Sequence, residues 1–111
     1  MANRSASVAV NIANGATTST AVGVVSGNIV GIEFPATMTG ATVTLTSSKT
    51  QTGTYKAHYI SAGTALSIPV VANSIMQVNV NDVSAIGEWV KIVSASTEGG
   101  SRDLKLIVRD I

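Results

Sequence analysis

The sequence predicts an all-β chain: a single β-sandwich of jelly-roll or Greek-key type built from about eight short antiparallel strands. Val, Ile and Thr are abundant, and apolar residues recur at every second position along most of the chain rather than at helical spacing. Turn residues interrupt that alternation at short, near-regular intervals. A length of 111 residues suits one domain, large enough to bury a core without cross-links. An immunoglobulin-like sandwich is the alternative. The lack of a cysteine pair does not separate the two, since most sandwich families lack it as well. No internal repeat is visible, which removes propellers and solenoids.

Ser7-Val8-Ala9-Val10-Asn11-Ile12 alternates and runs into Asn14-Gly15, a pair suited to the positive φ of a tight turn. Residues 1–20 are read as an N-terminal arm, or a first strand plus loop, ahead of a sandwich over residues 21–111, with one domain overall. Thr17-Thr18-Ser19-Thr20 leads into Val22-Gly23-Val24-Val25, and Ser26-Gly27-Asn28 turns into Ile29-Val30-Gly31-Ile32-Glu33-Phe34. Pro35 ends that strand because proline cannot donate to a ladder. In Ala41-Thr42-Val43-Thr44-Leu45-Thr46-Ser47, Val43 and Leu45 share a buried face and the three threonines the other.

The polar tip at residues 48–53 precedes Tyr55-Lys56-Ala57-His58-Tyr59-Ile60, with Lys56 and His58 on the more polar face. Ala62-Gly63 is a turn, Leu66-Ser67-Ile68-Pro69-Val70 alternates again, and Val71 to Ser74 is a link. Met76-Gln77-Val78-Asn79-Val80-Asn81 alternates most cleanly, and Asp82 to Gly87 reads as a helical turn or a loop. The last strands are Trp89 to Ser94 and Leu104 to Arg109, joined by a flexible loop at Thr97-Glu98-Gly99-Gly100-Ser101.

Charged residues make up 12% of the chain, against about 25% in ordinary domains, and the mean hydropathy is +0.38, so much of the surface is expected to be covered by a partner. The net charge of +1 comes from scattered residues, which argues against nucleic acid as a partner. The absence of cysteine removes disulfides, thiol catalysis and Cys-rich metal sites. The apolar run Val8 to Ala13 is short and broken by Asn11, so no export signal is expected, and no stretch is long enough for a membrane helix.

Little in the sequence points to catalysis, and the chain is expected not to be an enzyme. His58 is the single histidine, no G-x-S-x-G presents a strained serine, and His58 reads as a surface or interface residue. The six carboxylates Glu33, Asp82, Glu88, Glu98, Asp103 and Asp110 follow no metal-ligand spacing and suit salt bridges, Asp103 forming a solvated pair with Arg102. No P-loop or dinucleotide fingerprint occurs. Trp89 reads as a core or rim residue. No catalytic, cofactor-binding or metal-binding residue is assigned, and no cofactor is expected. What remains is contact with proteins through strand edges, loop tips and the N-terminal arm.

The order Ile32-Glu33-Phe34-Pro35-Ala36, Leu66-Ser67-Ile68-Pro69-Val70, Trp89-Val90-Lys91-Ile92-Val93-Ser94 and Arg102-Asp103-Leu104-Lys105-Leu106-Ile107-Val108-Arg109 resembles small virion proteins of tailed bacteriophages encoded near the capsid genes. The match covers about residues 29 to 109; the segment before Ile29 lies outside it. In size and expected fold the chain is also similar to the jelly-roll capsid decoration proteins, called cement or staple proteins, of epsilon15-like short-tailed phages. The resemblance implies a structural protein made in the host cytoplasm that sits on the outer capsid surface as a dimer or other small homo-oligomer. There it would bridge neighbouring major capsid protein subunits, with no nucleic acid or membrane as partner. A phage tail, vertex or head-fibre component is the alternative, and a host-side adhesin a further one.

Overall fold

The computed structural model describes residues 4–24, 28–59, 63–78 and 88–110. Within them nine strands form two antiparallel sheets: β1 (Arg4–Ile12), β2 (Val22–Gly23), β3 (Asn28–Glu33), β4 (Thr42–Ser48), β5 (Lys56–Ala57), β6 (Ile68–Pro69), β7 (Ile75–Gln77), β8 (Trp89–Ser94) and β9 (Arg102–Asp110). One sheet runs β1-β9-β3-β7 and the other β2-β8-β4-β5, with β6 also pairing β4. First strand meets last, second meets second-last and third meets third-last, so the chain folds as a nested double strand wrapped into two layers. That order is the jelly-roll form of the sandwich.

Alternation places the core. From the first sheet Val10, Ile12, Ile29, Ile32, Leu104 and Leu106 point inward, and from the second Val43, Leu45, Ile68, Val90 and Ile92 meet them. Phe34 and Leu66 close the layer from the loops. Thr42, Thr44 and Thr46 take the outer face of β4, half-exposed. A strict alternation in β3 would put Ile29 and Ile32 on opposite faces. The register slips between Ile29 and Gly31, leaving Val30 as a bulge, so both isoleucines turn inward.

The turns follow local chemistry. Ala16 N–H donates to Ala13 C=O (3.0 Å) and Gly15 has φ 84°, so Asn14-Gly15 forms a turn in which the glycine alone takes the left-handed conformation. It carries the chain from one sheet to the other rather than closing a hairpin. Thr17 to Ser19 then runs beside β8, with Ser94 N–H donating to Thr17 C=O and Ser19 N–H to Ile92 C=O, both at 2.8 Å.

Two expected strands are shorter than the alternation suggested. Among the described residues of Tyr55–Ile60 only Lys56–Ala57 is strand, and of Leu66–Val70 only Ile68–Pro69. Both lie along one edge of the seven-residue β4, β5 against Thr46 and Ser47 and β6 against Thr42 and Val43, and that edge cannot pair two longer strands. Residues 79–87, expected to hold the end of a strand and a helical turn or loop, lie outside the described residues, as do Val25 to Gly27 and Ile60 to Ala62.

Candidate interaction surfaces

The register of β4 with β8 sets Val43 opposite Ser94 and Ser48 opposite Trp89, so the two ends of that sheet are distinct, and each carries a polar cluster. At the Ser94 end stands Glu98, fully buried at 0% exposure. Its Oε1 accepts from Thr39 N–H and Arg102 Nε, both at 2.8 Å, and its Oε2 from Gly40 N–H (2.9 Å) and Ser94 Oγ (2.7 Å). The backbone is held too: Glu98 N–H donates to Ala16 C=O and Gly15 N–H donates to Glu98 C=O. The loops after β1, β3 and β8 therefore meet at one residue, the first through its main chain and the second through its carboxylate.

Burial alone would raise the pKa of Glu98. The hydrogen bonds from Thr39, Arg102, Gly40 and Ser94 outweigh it and bring the pKa down to about 2. Gly40 is required at its position, because a Cβ there would collide with Ser94 Oγ. Two expectations are corrected here. The segment Thr97–Ser101 is anchored through Glu98 rather than flexible, and Arg102 pairs with Glu98 rather than Asp103. Asp103 instead accepts a hydrogen bond from Asn11 Nδ2 at 2.8 Å. A carboxylate in a glycine-rich loop, four residues before an arginine, is a faint signal for such a pin, since two of its donors lie 58 and 59 residues away.

The opposite end holds His58. Lys56 pairs with Ser47, and Ser47 follows Val43 and Leu45 on the inward side of β4, so the face shared by Lys56 and His58 is the core-facing one where the core gives out. His58 Nε2 lies 2.6 Å from Ser47 Oγ, and burial lowers the imidazole pKa. The histidine, read from the sequence as a surface or interface residue, is half-buried and bonded. Together with Lys49, Thr50 and Thr54 the pair lines an open groove of about 540 Å³. A serine bonded to a neutral imidazole is the start of a hydrolytic relay, which also needs a carboxylate behind the histidine and donors for an oxyanion. The groove is lined by hydroxyls, ammonium groups and small residues, with no carboxylate among the described residues.

The outer face of the second sheet carries Trp89, half-exposed, whose ring packs 3.7 Å from where a Cβ of Gly23 would stand, and Lys91, whose Nζ lies 4.3 Å from the centre of the Tyr55 ring. Tyr59 and Ile75 are the most exposed large apolar side chains described, each at 64%. On the first sheet the outer edge is β1, paired in unbroken register with β9 over its full nine residues. Among the described residues no group of three or more His, Asp or Glu side chains is placed to hold a metal ion.

No protein-family model matches the chain, and no curated protein matches it in sequence.

Proposed function

We propose that this chain is a capsid decoration protein of a tailed bacteriophage, one that binds the outer surface of the head and bridges neighbouring major capsid subunits. The strand order carries the reading. The four segments that resemble small phage virion proteins become the end of β3, the β6 region, β8 and β9 of a two-layer jelly roll, an architecture common among viral capsid proteins. Fold alone does not fix function, and the proposal joins it to the sequence resemblance and to the charge-poor composition.

In this mechanism no residue is catalytic. Many copies lie on the shell, partnered by the major capsid protein and by one another, and each contact adds modestly. Repetition over the lattice supplies the stabilisation through avidity. Exposed Tyr59 and Ile75 and the half-exposed Trp89 are the apolar side chains offered to such contacts. Ser47 and His58 are assigned a structural part, closing the end of the sandwich where the aliphatic core stops.

Quantitative mass spectrometry of purified particles from the encoding phage or prophage tests the reading. Hundreds of copies in a simple ratio to the major capsid protein are expected. A few copies in a multiple of six would move the chain to the tail or vertex. Absence from clean particles would remove every virion assignment.

A further inference from the structure

Asn14-Gly15 is the single Asn-Gly pair of the sequence, and it forms the exposed turn that carries the chain from one sheet to the other. Asparagine is thermolabile, and a glycine after it offers no side chain to hinder ring closure. We infer that Asn14 is a site of spontaneous deamidation whose rate is gated by the anchoring of Glu98. In the reaction the Gly15 nitrogen gives up its proton to base and bonds to Asn14 Cγ, the side-chain nitrogen leaves as ammonia, and a succinimide closes. Water then opens that ring at one carbonyl to give aspartate, or at the other to give isoaspartate. No oxidant or reductant takes part.

Burial does not protect the pair. Asn14 and Gly15 are both exposed, and a Cβ added at Gly15 would meet nothing within 4 Å. What restrains the attacking atom is a hydrogen bond: Gly15 N–H donates to Glu98 C=O at 2.9 Å. While that bond stands, the proton is engaged and the nitrogen is held away from ring closure. The turn is braced on its far side as well. Ala16 N–H donates to Ala13 C=O, and Ala16 C=O accepts from Glu98 N–H, both at 3.0 Å.

The carbonyl that holds Gly15 does not belong to a loose loop. Its own residue is fixed by the hydrogen bonds that Thr39, Gly40, Ser94 and Arg102 donate to the buried carboxylate. The chemistry of Asn14 is thereby coupled to a side chain at the other end of the sequence. Its rate is that of a free Asn-Gly pair multiplied by the fraction of time the turn stands open, and the Glu98 anchor sets that fraction. Conversion is one-way. It adds a negative charge and, as isoaspartate, one more atom to the main chain of a turn whose bonds are set in register, so a modified copy loses the fit between Gly15 and Glu98. The inference rests on the geometry of the turn and stands apart from the virion assignment.

The test incubates the full chain at mildly alkaline pH, folded in buffer and unfolded in guanidinium chloride, and follows each asparagine by peptide mapping. Asn14 is expected to convert readily in the unfolded chain and at least about tenfold more slowly in the folded one. In folded Glu98→Gln, Asn14 should convert several-fold faster than in the parent chain. Asn73, which precedes Ser74 in a different loop, should keep its rate and so separates local release from general unfolding. If Glu98→Gln does not fold, Ser94→Ala, which removes one bond to the carboxylate, takes its place with the same expectation. Equal rates at Asn14 in the folded and unfolded chains overturn the proposal, as does no conversion in either. So does a variant that leaves Asn14 unchanged or that speeds Asn14 and Asn73 alike.

Discussion

At the scale of single residues the most consequential side chain is Glu98. Its carboxylate accepts four hydrogen bonds, two of them from backbone N–H groups, in a place closed to water. Replacing it by alanine strands Arg102, Ser94 and both amides, and breaking a buried pair by removing one partner costs about 3–5 kcal/mol. Against a total stability of about 5–15 kcal/mol that is enough to unfold much of the population. Glu98→Ala is therefore expected to lower the urea midpoint severely, with Glu98→Gln milder because its one carbonyl oxygen still accepts. A change below about 0.5 kcal/mol in both would show that the pin is ornamental to stability. Little of this was legible in the sequence, where Thr97-Glu98-Gly99-Gly100-Ser101 has the composition of a loose connection and only the arginine four residues on hints at a pair. Two of the donors that hold Glu98, the amides of Thr39 and Gly40, come from 59 and 58 residues away, and only the fold delivers them. The inward turn of the face shared by Lys56 and His58 was hidden for a related reason: alternation identifies which residues share a face, but not that the face turns inward at the end of a sheet.

At the scale of elements, alternation was a good guide wherever a strand has a partner along its whole length. Trp89 to Ser94 is β8 as read, and the faces of β4 fall as its threonines and aliphatic residues indicate. It misled where the partner runs out, as along the shared edge of β4, and where a bulge resets the parity, as at Val30. Gly31, beside that bulge, lies between Ile107 and Ile75, and a Cβ there would stand 3.2 Å from Met76 C=O, a main-chain atom that cannot swing aside. Gly31→Val should push β7 away from β3 and cost about 1–3 kcal/mol as an overpacked site. Hydrogen exchange gives the element-specific reading: the amides of Met76 and Val78 should exchange faster, while those of β9 and β4 hold. Uniform acceleration would mean that β7 is not the element displaced.

At the scale of the whole molecule, the two polar ends of the sandwich together set how stability depends on pH, and they act in separate windows. Burial lowers the pKa of His58, so around pH 6.5 the unfolded chain binds more protons than the folded one. Stability from this source is complete above that value and is lost as pH falls through it towards the folded pKa, where the loss levels off. Glu98 acts lower down: its pKa drops from 4.5 to about 2 on folding, so its contribution is present above pH 4.5 and disappears as pH falls to about 2. Urea midpoints followed from pH 8 to pH 2 should show an upper step and a separate lower one. Since the chain has a single histidine, His58→Gln should flatten the upper step and leave the lower one intact. In Glu98→Gln the lower step should shrink at pH values where the variant still folds, while the upper one persists. An upper step of opposite sign, with stability rising on acidification through pH 6.5, would place His58 beside a stabilising negative charge rather than in the desolvated end of the sandwich. Loss of both steps in one variant would mean that the two ends are coupled through the core instead of titrating independently.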